Sequence, residues 1–179
     1  GELWVSREVD SAAFREVIGK AREKGVRVEQ RSRGESFQWD GVKGKLLWPE
    51  GESSSQAALN LNNTSLVVRL EYGSQALLLP GDIEREVEAE LASRGEWQRV
   101  EFLKVAHHGS RTSTSAELMA AMKPEVAVVS VGETNPFGHP HPDVLGRLRN
   151  AGVSVLRTDR DGAVTVLSDG QKLEVRSYV

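Results

Sequence analysis

The chain of 179 residues contains no cysteine, so disulfide bonds and thiolate zinc sites are excluded. No apolar run approaches the roughly 20 residues that a membrane-spanning helix needs, and the first residues show no signal-peptide pattern. The net charge is −3, so no overall positive field favours nucleic acid, although a local basic groove is compatible with this balance. The hydrophobic content of 39% is ordinary for a globular domain.

Histidine is scarce as well, with four residues, yet each of them follows a predicted strand. A carboxylate occupies the same kind of position after another strand. The apolar strands and the side chains that follow them are Leu77–Leu79 with Asp82, Phe102–Ala106 with His107 and His108, and Val126–Val131 with His139 and His141. Strand ends of α/β sheets collect polar side chains, and imidazole with carboxylate is a ligand set for divalent metals. The pattern therefore predicts a metal site.

Hydrophobic periodicity predicts a mixed α/β fold with antiparallel strand pairs and outer helices. Strands are predicted at Leu3–Ser6, Val26–Glu29, Phe37–Asp40, Val42–Leu47, Leu66–Tyr72, Gln75–Leu79, Phe102–Ala106, Val126–Val131, Val153–Arg157, Ala163–Leu167 and Lys172–Tyr178. Helices are predicted from Asp10 or Ser11 to Gly25, at Glu84–Ser93, at Ala116–Met122 and from Pro142 to Gly152. Asp161-Gly162 and Asp169-Gly170 predict hairpin turns between the last three strands. Pro49–Gln56 predicts a loop.

Each metal-binding candidate also has an ordinary structural interpretation. Asp82 either caps a helix that begins at Ile83 or bridges two divalent ions. On an extended backbone His107 and His108 point in opposite directions, so we expect one to bind metal while the other either contacts substrate or orients its neighbour. His139 has the same two interpretations, and His141 is expected to begin a helix.

The polar residues around these positions are ambiguous too. Asn62 precedes a buried strand, where turn chemistry accounts for it equally well. The hydroxyl-rich segment that begins at Ser110 either supplies a capping box through Ser113 or Thr114, or contacts a phosphate group. Arg111 lies in the same segment and is a candidate phosphate contact.

Several segments together resemble the metallo-β-lactamase-type domain of ComEC-type DNA-internalisation proteins, the inner-membrane channels of natural transformation. The segments are LLWPEGES, NNTSLVVRLEYGSQALLLPGDIE, LKVAHHGSRTSTS and VVSVGETNPFGHPHPDVLGRL. The resemblance covers nearly the whole chain, and the motifs are specific as a group.

The resemblance implies a role for each candidate residue. Asp82 inherits the bridging metal ligand of the superfamily's Gly-Asp motif, and His139 and His107 inherit further metal positions, with His108 as a catalytic residue that competes with His107 for the ligand role. Asn62 stands near a position where many superfamily members carry a metal-binding histidine. Mn²⁺ or Zn²⁺ suits such a site. The implied phosphate contacts are Ser110, Arg111, Ser113 and Asn62.

One departure from the superfamily pattern is important. The main metal motif, His-x-His-x-Asp-His, is absent, and no histidine precedes Asp82. We therefore expect residues 1–179 to form a single unit, the C-terminal two-thirds of the domain, with a partial αββα sandwich that lacks its N-terminal portion. The expected parent lies in the cell membrane and holds this soluble domain outside the cytoplasm.

The implied reaction is metal-dependent hydrolysis of the non-transported DNA strand, and we expect this segment alone to be inactive. The expected partners are single-stranded DNA, the rest of the channel protein and other competence proteins. One alternative is a non-catalytic module that binds DNA or channel partners. Another is a metallohydrolase that acts on a small phosphodiester.

Overall fold

The computed structural model describes residues 1–51 and 60–178. Its central feature is a sheet of seven strands in the order β3-β4-β5-β6-β7-β8-β9, antiparallel from β3 to β6 and parallel from β6 to β9. The strands are β3 (Ser36–Trp39), β4 (Val42–Trp48), β5 (Val67–Tyr72), β6 (Gln75–Leu79), β7 (Phe102–Lys104), β8 (Val126–Val129) and β9 (Ser154–Arg157). The predicted mixed α/β class is confirmed. The predicted loop Pro49–Gln56 lies mostly outside the described residues.

Three helices connect the parallel strands and cover one face of the sheet. They are α2 (Arg85–Ser93), α3 (Ala116–Met122) and α4 (Pro142–Asn150). The register aligns Leu78, Leu103 and Ala127 in one row across β6, β7 and β8, and all three are fully buried. This row packs with apolar residues of all three helices in one core. Successive strand–helix–strand units therefore place the ends of β6, β7 and β8 at the same edge.

Two small sheets complete the structure. The strands β1 (Glu2–Val5) and β2 (Arg27–Gln30) are parallel and joined by helix α1 (Ala12–Glu23), whereas β10 (Ala163–Ser168) and β11 (Leu173–Tyr178) form an antiparallel hairpin. The predicted Asp169-Gly170 hairpin is thus confirmed.

The predicted Asp161-Gly162 hairpin is wrong. Strand β9 belongs to the large sheet, and the short helix α5 (Thr158–Asp161) leads from it to β10, which pairs with β11. The carboxylate of Asp161 accepts the backbone N–H of Arg157, and the Thr158 hydroxyl donates to the carbonyl of Val131. These side-chain bonds favour a helical turn over a tight hairpin.

The helix caps confirm two further predictions and correct one. Helix α1 is capped by Ser11, whose hydroxyl accepts the N–H of Phe14. Helix α3 is capped by Ser115 rather than by Ser113 or Thr114. His141 caps α4 ahead of Pro142, as predicted.

Candidate functional site

Asp82 lies just beyond β6, on a turn that the backbone holds tightly. Gly81 has a φ of +61°, and a Cβ there would lie 2.5 Å from the Cβ of Ser65. The backbone N–H of Asp82 donates to the Ser65 hydroxyl at 3.0 Å. Helix α2 begins at Arg85 with Glu84 at the cap position, so the interpretation of Asp82 as a helix cap is wrong. Its carboxylate is instead half-exposed at the shared strand edge.

His107 and His108 follow β7 in a left-handed turn. Their φ angles are +47° and +54°, and Gly109 continues at +82°. A Cβ at Gly109 would lie 2.5 Å from the Cβ of Pro140, so only glycine fits there. The assumption of an extended backbone at the two histidines was therefore wrong, and their ring directions follow from this turn.

His108 faces the carboxylate of Asp82. Its Nδ1 lies 2.7 Å from the carbonyl oxygen of Ser130. Because a carbonyl can only accept a hydrogen bond, Nδ1 is the donor and carries the hydrogen. This bond directs Nε2 toward Asp82, at 3.6 Å from Oδ2. Metal-binding histidines commonly have this arrangement, with one ring N–H bonded to a carbonyl and the other nitrogen directed at the metal.

Lys104, the last residue of β7, faces the other oxygen of the same carboxylate. Its Nζ lies 3.5 Å from Asp82 Oδ1 and 3.4 Å from the carbonyl oxygen of Gly81. The sequence analysis did not single out Lys104 as a site residue. The available signal was a charged residue inside an otherwise apolar strand that leads directly into the histidine pair.

His107 is enclosed by protein groups on both ring nitrogens. The Nε2 lies 3.4 Å from the amide nitrogen of Asn62, and the Nδ1 lies 3.3 Å from Glu84 Oε1, although the geometry is not that of an aligned hydrogen bond. Asn62 also donates to Glu84 at 3.3 Å. The structure therefore brings predicted Asn62 into the site and adds Glu84, which the sequence analysis missed.

His139 lies in the loop after β8, with its ring centroid 5.8 Å from that of His107. Asn135 braces this loop by accepting the N–H of His139 at 2.9 Å and donating to its carbonyl at 2.9 Å. Burial, followed by the charges of His107 and His108, lowers the pKa of His139, and the charge of Asp82 opposes this effect. His139 is therefore biased toward its neutral form, which can accept a proton or bind a metal.

The predicted phosphate loop is mostly turned inward. Ser113 is fully buried and its hydroxyl donates to the carbonyl of Ile83 at 2.8 Å, so its predicted phosphate contact does not fit this structure. Ser110 is buried and pairs with the hydroxyl of Thr112 at 3.0 Å. Arg111 is exposed.

This loop is fixed from two helices. The buried carboxylate of Glu88 accepts the backbone N–H groups of Thr114 at 2.6 Å and Ser115 at 2.8 Å. The guanidinium of Arg147 donates to the carbonyls of Ser113 and Thr114. Burial raises the pKa of Glu88, and the hydrogen bonds and Arg147 act against that rise.

The ligand types in this cluster suit a divalent ion, but their number falls short. Asp82 and His108 converge, whereas catalytic zinc sites have three protein ligands. Among residues 1–51 and 60–178, no group of three or more histidine, aspartate or glutamate side chains is arranged to hold a metal ion. The same ranges contain no helix long and apolar enough to cross a membrane.

The chain is similar in sequence to one segment of several bacterial competence proteins. It is 36% identical to ComE operon protein 3 of Bacillus subtilis (strain 168) over 83% of this chain and 19% of that protein. Identity is 38% to competence protein ComA of Neisseria gonorrhoeae, over 72% and 18% of the two chains. For recombination protein 2 of Haemophilus influenzae it is 32%, over 80% and 17%. The chain thus spans about a fifth of these relatives. No protein-family model matches it.

Solved structures agree on the fold. A proposed metal-dependent hydrolase from Parabacteroides distasonis matches with a TM-score of 0.54 at 9% identity, over 88% of this chain and 76% of that chain. A variant of CmlA β-hydroxylase matches with a TM-score of 0.55 at 11% identity, over 88% and 38%. The chain is therefore homologous to one segment of the ComEC-type competence proteins, and its fold is of the metallo-β-lactamase type that the resemblance predicted.

Proposed function

We propose that this chain is the C-terminal part of a metal-dependent nuclease domain in a DNA-uptake channel protein, and that the domain hydrolyses the strand that is not transported. The observation that carries the proposal is the convergence of Lys104 and His108 on the two oxygens of Asp82, in a chain homologous to competence proteins.

The residues have distinct roles in this proposal. Asp82 and His108 would hold a divalent ion, because the bond to Ser130 already directs the His108 Nε2 at the carboxylate. His139 would be the next ligand. His107 is a weaker ligand candidate than predicted, since Asn62 and Glu84 occupy the surroundings of both its nitrogens. A bound divalent ion lowers the pKa of water and neutralises phosphate charge.

The remaining groups act on substrate and proton. Lys104 places a positive charge beside Asp82, where it attracts a phosphate oxygen. His139 is biased toward its neutral form and accepts a proton or completes the ligand set. Further ligands are expected from the part of the domain that carries the superfamily's His-x-His-x-Asp-His motif.

The first test is a calorimetric titration of the chain with Mn²⁺ and with Zn²⁺. Wild type is compared with Asp82→Ala and with Asp143→Ala, which removes an exposed carboxylate beside another histidine. We expect Asp82→Ala to lose binding and Asp143→Ala to retain it. Equal binding by wild type and Asp82→Ala would remove Asp82 from the metal site.

The second test separates catalysis from DNA binding. Cells that produce the parent protein with the substitution Asp82→Ala are expected to stop degrading the non-transported strand. With the purified chain alone we expect no cleavage of single-stranded DNA, because its described ligands are too few. Cleavage by the chain that Asp82→Ala abolishes would contradict this expectation of inactivity.

A non-catalytic module is the second candidate, and the small number of convergent ligands favours it. Such a module would bind DNA or channel partners through the same strand edge. In that case Asp82→Ala would leave strand degradation in cells unchanged.

A further inference from the structure

Phe137 stands beside the candidate site with its ring largely in water. Its side chain is 76% exposed, the highest value among the exposed large hydrophobic residues of the described chain. Single exposed apolar residues are common on protein surfaces, so exposure alone has no functional meaning. Two further features of Phe137 distinguish it.

The first feature is the relation of the ring to His139. The two ring centroids lie 5.9 Å apart and the planes are inclined by 21°, so the rings are nearly parallel. His139 in turn meets His107 edge to face at 5.8 Å. One face of Phe137 is therefore directed at the site through His139, and the high exposure of the ring leaves its other face open to solvent.

The second feature is the rigidity of the loop that presents this ring. Asn135 closes the loop through bonds to Gly132 and to both backbone groups of His139. The N–H of His141 donates to the carbonyl of Gly109 at 2.8 Å, which ties the end of the loop to the histidine turn. These bonds fix the backbone on both sides of Phe137, so less backbone freedom of the loop is lost on binding.

We propose that Phe137 is a stacking platform for one base of single-stranded DNA, with the adjoining phosphate attracted to Lys104. This inference rests on the proposed function, because it assumes that the ligand at the site is a DNA strand. Proteins commonly bind single strands without sequence preference by stacking bases on aromatic rings near basic side chains that attract the phosphates, and Lys104 is the basic side chain here. The stack would extend from the base through Phe137 to His139.

The other exposed aromatic cluster fits this role less well. Trp39 already packs on Phe37 at 4.4 Å and on Trp4 at 5.1 Å. Arg31, which lies over the Trp4 ring, is paired with Glu35. The Trp39 ring therefore already has two aromatic neighbours, and the charge of Arg31 is paired within the protein.

The test compares two labelled strands of about ten nucleotides, one of deoxythymidine and one of abasic sugar-phosphate, by fluorescence anisotropy without divalent ions. Wild type is expected to bind the thymidine strand about tenfold more tightly. Phe137→Ala and Phe137→Leu should bind both strands as weakly as wild type binds the abasic one. Phe137→Trp should restore the preference. Tyr178→Ala, which removes another exposed aromatic ring, should behave as wild type.

The outcomes separate this inference from the proposed function. Equal binding of the two strands by wild type, or an unchanged preference in Phe137→Ala, would overturn the stacking role while DNA binding stands. A loss of preference in Tyr178→Ala equal to that in Phe137→Ala would also overturn it. Failure of wild type to bind either strand would overturn DNA binding by this chain, and the stacking role with it. The exposure of Phe137 makes misfolding of its variants easy to exclude by circular dichroism.

Discussion

Replacement of Glu88 by alanine is expected to weaken the fold at the loop that follows the histidine turn. The Glu88 side chain is buried, with the residue only 2% exposed. Its two oxygens accept the backbone N–H groups of Thr114 and Ser115, which lead into helix α3. Thr114 is fully buried, so without Glu88 its N–H has neither a protein acceptor nor ready access to water.

The magnitude follows from these two bonds. A buried donor left without an acceptor costs about 1–3 kcal/mol, which applies in full to Thr114, and the N–H of the half-buried Ser115 adds a smaller cost. Alanine also relieves the cost of a buried charge, which is the reason that the pKa of Glu88 is raised. We therefore expect a loss of about 2–4 kcal/mol in the free energy of unfolding.

Urea unfolding followed by tryptophan fluorescence measures this loss, and Trp97 is a local reporter because its Nε1–H donates to the backbone carbonyl of Glu88. Glu86→Ala on the same helix is the matched control, since Glu86 is exposed and should change the free energy by less than about 0.5 kcal/mol. If Glu88→Ala lowered the free energy of unfolding as little as Glu86→Ala, the stabilising role of the Glu88 bonds to Thr114 and Ser115 would be refuted.

Three other predictions concern the same region. Gly109→Ala should lower the free energy of unfolding in urea by about 2–4 kcal/mol, because it adds a Cβ 2.5 Å from Pro140 at a positive φ. The control Gly132→Ala has no atom within 4 Å of its new Cβ and should leave the free energy nearly unchanged. Burial raises the pKa of Glu88 in the folded state, so its contribution to stability is full below the unfolded-state pKa and is lost as pH rises through the folded-state pKa. Between these two pKa values wild type should therefore lose stability relative to Glu88→Gln. Parallel stability profiles of the two proteins against pH would contradict this. The pKa of His139 is lowered by burial, so its titration midpoint measured by NMR should lie below about 6.5. Its contribution to the free energy of unfolding is present above the unfolded-state pKa and is lost as pH falls through the folded-state pKa. A midpoint at or above about 6.5 would be inconsistent with this burial.

The position of the site could be predicted from the sequence because topology determines it. Strand–helix–strand units are recognisable from periodicity, and parallel neighbours end at one edge. Asp82 after β6, His108 after β7 and His139 after β8 consequently meet there. This inference uses only the predicted strands and the polar residues that follow them.

The roles inside the site could not be predicted in the same way. Local rules assumed an extended backbone at His107 and His108 and left open which of the two binds metal, and the preference for His107 came from the family resemblance. Lys104 and Glu84 looked like ordinary charged residues, because their partners are distant in sequence or depend on the turn. The change of sheet after β9 was likewise missed, since Thr158 acts through contacts with β8.

The left-handed turn at His107 and His108 links these two results. Each such non-glycine residue costs about 1–2 kcal/mol, and strain of this kind persists where surrounding contacts determine the backbone. Here those contacts come from the ends of β6 and β8 and from the cap of α4: the N–H of His107 donates to Gly81, His108 donates to Ser130, and the carbonyl of Gly109 accepts from His141. The direction of the His108 ring toward Asp82 is therefore a property of the assembled edge and not of the HHGS segment. The backbone of this turn is determined by contacts with residues distant in sequence, so a local sequence rule cannot predict it. The same contacts hold the site in place.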